Sequence, residues 1–287
     1  MGFSALDPEK LRKFSIPEIR ENWTYADTLF YNLSIGIGSH HLAPEELKYV
    51  QQRDNLATLP SMATVMAHPG FWLEHPDSGV DPRCALHGEQ TVELDGPLPA
   101  EADIVSQSRI GRLLDKGEGK DAILETITDL IDARTEVRLA SLRRTTVLRK
   151  CGGFGGEDLA GNKPATRPDD PADIVVEFAT LPQQALIYAL NGDSNPLHLD
   201  PTIAANAGFP GPILQGLCTF GIATFLLAEA AFNGQPERMR SIGMRFSSPV
   251  YPGETLQVAI WNNGFFEVST AARKQVVGRL GTFGTTG

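Results

Sequence analysis

The chain has 287 residues, 41% of them hydrophobic and 21% charged, which is the balance of a globular protein with a real core. That length favours two core-bearing units in series over one large domain. Lys and Arg number 25 against 35 Asp and Glu, a formal charge of −10, so no chain-wide positive field serves a nucleic-acid backbone or an anionic membrane, and neither is expected as a partner.

Near the start, Asp7, Glu9, Lys10, Arg12 and Lys13 leave no room for an apolar leader, so no secretory signal is expected. Leu29 to Gly38 (LFYNLSIGIG) then opens a pattern that returns at Leu186 to Asn195 (LIYALNGDSN), with Tyr31 on Tyr188 at an offset of 157 (188 − 31). Pro99-Ala100-Glu101 similarly returns as Pro252-Gly253-Glu254, each triplet joining two strand-like runs. The chain therefore reads as a duplication. Strand-like runs extend from His87 to Leu148, and Cys151 to Pro171 is dense in Gly and Pro, which reads as a linker. The units are accordingly set at 1–155 and 173–287, with 156–172 between them. No Lys-Ser/Thr follows these glycines, so a phosphate loop is not favoured.

In the second unit, Asp173 to Phe178 is a β-branched run, and Pro182 to Leu190 reads as a short helix ended by Asn191-Gly192. Asp200 caps a further helix with Pro201 in its first turn, and Gly208 ends it. Asp193 to His198 is left as a loop. Gly216 to Phe232 is apolar on nearly every face, as expected of a helix wrapped by other structure. Runs at 240–250, 254–261, 265–273 and 275–282 read as antiparallel strands, with a hairpin turn at Asn263-Gly264. A sheet curled around one buried helix, written twice, predicts an α+β double hot-dog: two antiparallel sheets, each wrapped around a central helix, joined side by side.

Tyr188 to Gly221 (YALNGDSNPLHLDPTIAANAGFPGPILQGLCTFG) closely resembles the hydratase motif of the type 2 enoyl-CoA hydratases, the MaoC-like family. His87-Gly88-Glu89-Gln90, Leu114 to Gly117, Gly152 to Gly156 and Pro249 to Thr255 also resemble its two-unit members. The resemblance implies (R)-specific, reversible hydration of a trans-2-enoyl-CoA. Asp193 and His198 would hold one water, Asn195 would orient the pair, and the Gly216 amide would bind the thioester oxygen. Adding water to an unsaturated thioester needs a base, a proton for Cα and stabilisation of the enolate, and these groups can supply all three. Gly216 opens the apolar helix, where N–H groups lack intrahelical partners. Pro196 keeps Asn195 out of helical geometry, which allows Asp193 and His198 to converge. Outside this motif the pair would read as an Asx-turn and an ordinary loop histidine.

The first copy carries Gly36, Gly38 and His41 where the second has Asp193, Asn195 and His198, so one active site per chain is expected, with His41 in a packing role. By resemblance, the first unit would accommodate the acyl chain. His87 and Glu89 are either substrate-binding or strand-end hydrogen-bonding groups. Gln215 stands where many relatives carry His; it too is placed with the substrate, though it cannot titrate there. Arg245 is a candidate contact for coenzyme A. Asn191 replaces a more frequent Ser, and Cys218 reads as packing.

No cofactor beyond the thioester substrate is expected. His40, His68 and His75 show no metal-binding spacing, so no metal is expected either. Cys84, Cys151 and Cys218 form no CxxC and are odd in number, which argues against a disulfide framework and fits the cytoplasm; the final residues are not a peroxisomal address of the SKL type. A homodimer follows from the resemblance alone. Rival readings are a hot-dog thioesterase, against which the absence of G-x-S-x-G and the Asp/Asn/His set argue, and a non-catalytic acyl-CoA-binding module.

Overall fold

A computed structural model describes residues 6–39, 44–51, 55–155 and 166–285. The first half contains β1 (Ile19–Trp23), β2 (Ala85–Leu94), β3 (Ala102–Asp115), β4 (Ala122–Asp132) and β5 (Arg138–Leu148), with helices α1 (Pro8–Lys13), α2 (Tyr25–Ser34) and α3 (Leu47–Val50). The second contains β6 (Ile174–Ala179), β7 (Ser241–Phe246), β8 (Thr255–Trp261), β9 (Phe265–Thr270) and β10 (Val276–Gly284), with α4 (Gln184–Tyr188), α5 (Pro201–Asn206) and α6 (Gly216–Ala231). Strand order is β1-β3-β4-β5-β2-β7-β10-β9-β8-β6. The order reads the same from either end once each strand is replaced by its repeat, as a duplicated hot-dog requires.

One detail sharpens the expectation and another departs from it. The half-sheets form one continuous ten-stranded sheet, because β2 pairs antiparallel with β7 (Glu89 opposite Arg245, Val92 opposite Ile242). That pairing satisfies two edges that would otherwise expose unpaired backbone groups. Only the second half, among the described residues, holds a long central helix: its counterpart in the first half is a 3₁₀ turn, Pro60–Thr64, buried throughout. His68-Pro69-Gly70 follows so closely that no long helix can develop there.

α6 is buried continuously from Leu217 to Ala228. Withdrawing Phe220, Ile222, Phe225, Leu226 and Leu227 from water contributes on the order of 10 kcal/mol, far more than the intrinsic stability of an isolated helix this short. Asn233, with φ 53°, and the bond from Gly234 N–H to Ala228 C=O (2.9 Å) close its end. The first half grips this helix. Tyr49 donates its hydroxyl to Glu229 (2.8 Å), and Lys48 pairs with the same carboxylate at 3.0 Å. Gln184 donates to the Ser34 carbonyl, and Asn191 Nδ2 donates to Ser34 Oγ at 2.7 Å.

Residues 151–155, at the start of the Gly-rich segment after β5, are fastened by hydrogen bonds. Asp115 accepts from the N–H groups of Gly117 (2.8 Å), Gly153 (2.7 Å) and Gly155 (2.7 Å), and these bonds hold its carboxyl below the usual range. Further along the segment, Trp261 Nε1 donates to the Asp170 carbonyl at 2.9 Å. Cys84 and Cys151 are free thiols that meet at 3.1 Å, a proximity their spacing of 67 residues does not reveal. No helix among the described residues is long and apolar enough to cross a membrane.

Gly221 marks a close approach of α6 to α2, since a Cβ there would lie 2.8 Å from Ile35 Cγ2 and 2.9 Å from the Tyr31 hydroxyl. Gly221→Val should therefore lower unfolding stability by about 1–3 kcal/mol through overpacking. Urea denaturation checks this; unchanged stability would mean that α6 does not press against α2.

Candidate active site

The chain from α4 to α6 is shaped by its own capping residues. Gly192 (φ 102°) ends the turn after α4, and Asn195 Oδ1 accepts from Leu197 N–H at 3.1 Å, which starts the 3₁₀ turn Pro196–His198. Asp200 accepts from Thr202 and Ile203 N–H and begins α5. Asp193 Oδ1 accepts weakly from Asn195 N–H, at 3.4 Å. Both ends of the Asp193–His198 loop are thus fixed locally, as a bend rather than an extended segment.

His198 Nε2 lies 4.0 Å from Asp193 Oδ2, with the imidazole 11% and the carboxylate 37% exposed. The gap is too long for a direct hydrogen bond, yet a single water oxygen about 2.8 Å from each atom would fit between them. His198 Nδ1 is 2.8 Å from the Ile213 carbonyl. A carbonyl only accepts, so Nδ1 carries a proton, and in the neutral ring the lone pair is on Nε2, the atom facing Asp193. The bond from Ile213 N–H to Leu197 O (3.4 Å) ties the same two segments again.

Ile213 leads through Leu214 and Gln215 into Gly216, so the loop is fastened to the entrance of α6. Gly216 is the first residue of that helix, and its amide lacks an intrahelical acceptor by position. A Cβ there would meet the Phe246 ring at 3.2 Å. Gln215 is fully buried; its Nε2 donates to the Ala185 carbonyl (2.9 Å), and its Oε1 is buried without a partner among the described residues.

The remaining sequence candidates form a separate group at the junction of the half-sheets. Glu89 and Arg245 face one another across the β2–β7 pair and form an ion pair, so the candidate coenzyme A contact already has a carboxylate partner. His87 packs edge-on against Phe246, with ring centroids 4.9 Å apart, and its Nε2 lies 3.2 Å from the Glu89 carbonyl. Phe246 thereby links the His87 group to Gly216. At Gly36, the first-copy equivalent of Asp193, a Cβ would meet Phe178 Cζ at 3.0 Å and Gln184 Oε1 at 3.1 Å, so a carboxylate is sterically excluded. His41 lies outside the described residues.

Sequence reasoning missed Arg144 of β5. Its half-buried guanidinium makes no hydrogen bond or ion pair among the described residues; burial lowers its pKa, while the charge of Asp193 acts the other way. The available signal was strand alternation, since Leu142, Arg144 and Thr146 share one face of β5 and Leu142 and Thr146 are buried.

Comparison with known proteins identifies the family. Residues 160–282 match the family model described as MaoC like domain, and residues 22–150 match the MFE-2 hydratase 2 N-terminal domain. The chain is 38% identical over 262 residues to 3-hydroxyacyl-thioester dehydratase Y of Mycobacterium tuberculosis, covering 90% of this chain and 88% of that protein. The chain belongs to the MaoC-like hydratase family. Probable enoyl-CoA hydratase 2 of Dictyostelium discoideum is 37% identical over 266 residues, covering 90% of this MaoC-like chain and 87% of that protein. The crystal structure of a MaoC-like dehydratase from Phytophthora capsici superposes with a TM-score of 0.84 at 29% identity, covering 98% of this chain and 99% of that one.

In this MaoC-like chain, burial first and the Arg144 cation second push the His87 pKa well below its ordinary 6.5. The unfolded chain takes up a proton near pH 6.5 that the folded ring refuses, so stability should fall as pH drops below that value. His87→Gln should flatten this acid slope in urea unfolding measured between pH 4.5 and 7; an unaltered slope would place the titration elsewhere.

Proposed function

We propose that the chain is an (R)-specific enoyl-CoA hydratase, adding water reversibly to a trans-2-enoyl-CoA to give the (3R)-3-hydroxyacyl-CoA. The observation that carries this reading is the 4.0 Å spacing of His198 Nε2 and Asp193 Oδ2, with the imidazole tautomer set by Ile213. In the forward direction, His198 Nε2 accepts a proton as the water oxygen bonds to C3. The C2=C3 electron pair moves toward the thioester carbonyl, and the Gly216 amide stabilises charge on its oxygen. One proton then passes from the Asp193–His198 pair to C2, which restores the pair to its starting charge.

Dehydration is the same path reversed. A helix N-terminus suits the Gly216 role because its free N–H and dipole favour developing negative charge. Asn195 sets the bend through its carbonyl oxygen, and Gln215 braces the helix entrance against α4. The reaction needs no cofactor beyond the coenzyme A carried by the substrate. We also propose that the chain works as a homodimer in the cytoplasm, a reading supported by the family resemblance and by three cysteines that are all free.

Asp193→Asn and His198→Ala should each lower the kcat for crotonyl-CoA hydration by at least about 10²-fold with circular dichroism unchanged, in line with general acid–base contributions. Full activity in both variants would refute the site. Thiol release from a saturated acyl-CoA, with no hydration of crotonyl-CoA, would instead identify a thioesterase.

A further inference from the structure

A narrow cavity of about 40 Å³ runs beside the start of α6 into the first half, walled by Gln90 of β2, Thr126 and Thr128 of β4, Leu142 and Arg144 of β5, and Leu217 of α6. Because Leu217 follows Gly216, the cavity begins beside the proposed thioester site, and Asp193 is near enough for its charge to act on Arg144. A space this size holds roughly three water molecules, or a short chain of heavy atoms. It does not resemble a lumen for a long hydrocarbon tail.

Most of its wall is apolar, from Met66, Trp72, Leu142 and Leu217, but one side carries a cation and polar groups that a hydrocarbon tail would leave unpaired. Arg144 is opposite Gln90 on one side and opposite Thr126 on the other, so the three lie in register across adjacent strands. Gln90 spends its amide nitrogen on the backbone carbonyls of Thr91 and Arg143, whereas the Arg144 guanidinium donates to nothing among the described residues. His68, also on the wall, accepts from Gly70 N–H through Nδ1 at 3.0 Å; the neutral ring therefore carries its proton on Nε2, a second available donor. A partly buried cation with no carboxylate bonded to it, and only the more distant charge of Asp193 acting on it, is costly to retain, and a bound anion offsets that cost.

Resting on the hydratase reading, we propose that this cavity is a subsite for a carboxylate on the acyl group, with Arg144 as its counter-ion, so that the enzyme selects short 2-enoyl thioesters ending in an acid. Arg144 is the specificity-determining residue, and its fork of N–H donors matches a carboxylate's two oxygens. Thr126 of β4 adds a further hydroxyl along the wall, whereas Thr128 shares its own with Ser108 at 2.8 Å.

Calorimetry on the unaltered chain can test this with adipyl-CoA and its ω-methyl ester, two saturated thioesters that differ only in the terminal charge. Adipyl-CoA should bind at least about tenfold more tightly, and Arg144→Gln should remove the difference. Equal affinities in the unaltered chain would overturn the proposal even if the variant does not fold. So would an equal loss for both ligands in Arg144→Gln, which would assign Arg144 to the phosphates of coenzyme A. Neither ligand is turned over, so the test is separate from the activity: a preserved preference without crotonyl-CoA hydration sinks the hydratase reading alone, whereas hydration without the preference sinks only the subsite.

Discussion

The hydrogen bond from His198 Nδ1 to the Ile213 carbonyl performs two tasks in this molecule. It turns the lone pair of the neutral imidazole toward Asp193, and it binds the reactive loop to the segment that enters α6. A histidine held only by packing would have neither a defined tautomer nor a fixed distance from the helix that supplies the Gly216 amide. In the proposed mechanism preorganisation is built from the backbone: a carbonyl sets the base, a helix start would provide the oxyanion donor, and a capped turn ties the two segments together. Removing that carbonyl's geometry, without touching any reacting side chain, would disperse the site.

Duplication supplies the frame in which the loop can be held. The first half has lost the steric room for a second carboxylate at Gly36, where Phe178 and Gln184 of the second half occupy the space, and its central helix has shrunk to Pro60–Thr64. What it retains is grip: Tyr49 and Lys48 hold Glu229, Ser34 receives Gln184 and Asn191, and Ile35 presses on Gly221. The shorter central element also leaves space beside β4 and β5, and the cavity that Arg144 lines is found there. On the proposed reading, one copy performs the chemistry and the other shapes what reaches it.

Much of this was legible in the residues. A run from 217 to 228 with no charged residue and apolar side chains on nearly every face reads as a wrapped helix, and Pro, Asn and Asp at 191–201 mark the bend by their capping chemistry, independently of the rest of the fold. Features that depend on registration between distant strands were not legible. Glu89 and Arg245 lie 156 residues apart in the chain and become partners only when β2 meets β7, so Arg245 read as a free cation. Arg144 was overlooked because the double Arg143-Arg144 resembles a solvated strand edge, and only the pairing with Gln90 and Thr126 shows that one of the two points inward. Cys84 and Cys151 likewise meet through the end of the β2–β5 pair, which no local spacing encodes.

The central claim is that Asp193 and His198 work as one unit on a single shared water, rather than as two independent contributors. A double-variant cycle on crotonyl-CoA hydration, comparing Asp193→Asn, His198→Ala and the combination, measures that coupling. If the groups share one water, the double variant should be about as slow as the slower single one, because the first substitution already abolishes the common step. Losses that multiply, leaving the double variant slower by the product of the two single effects, would contradict the account.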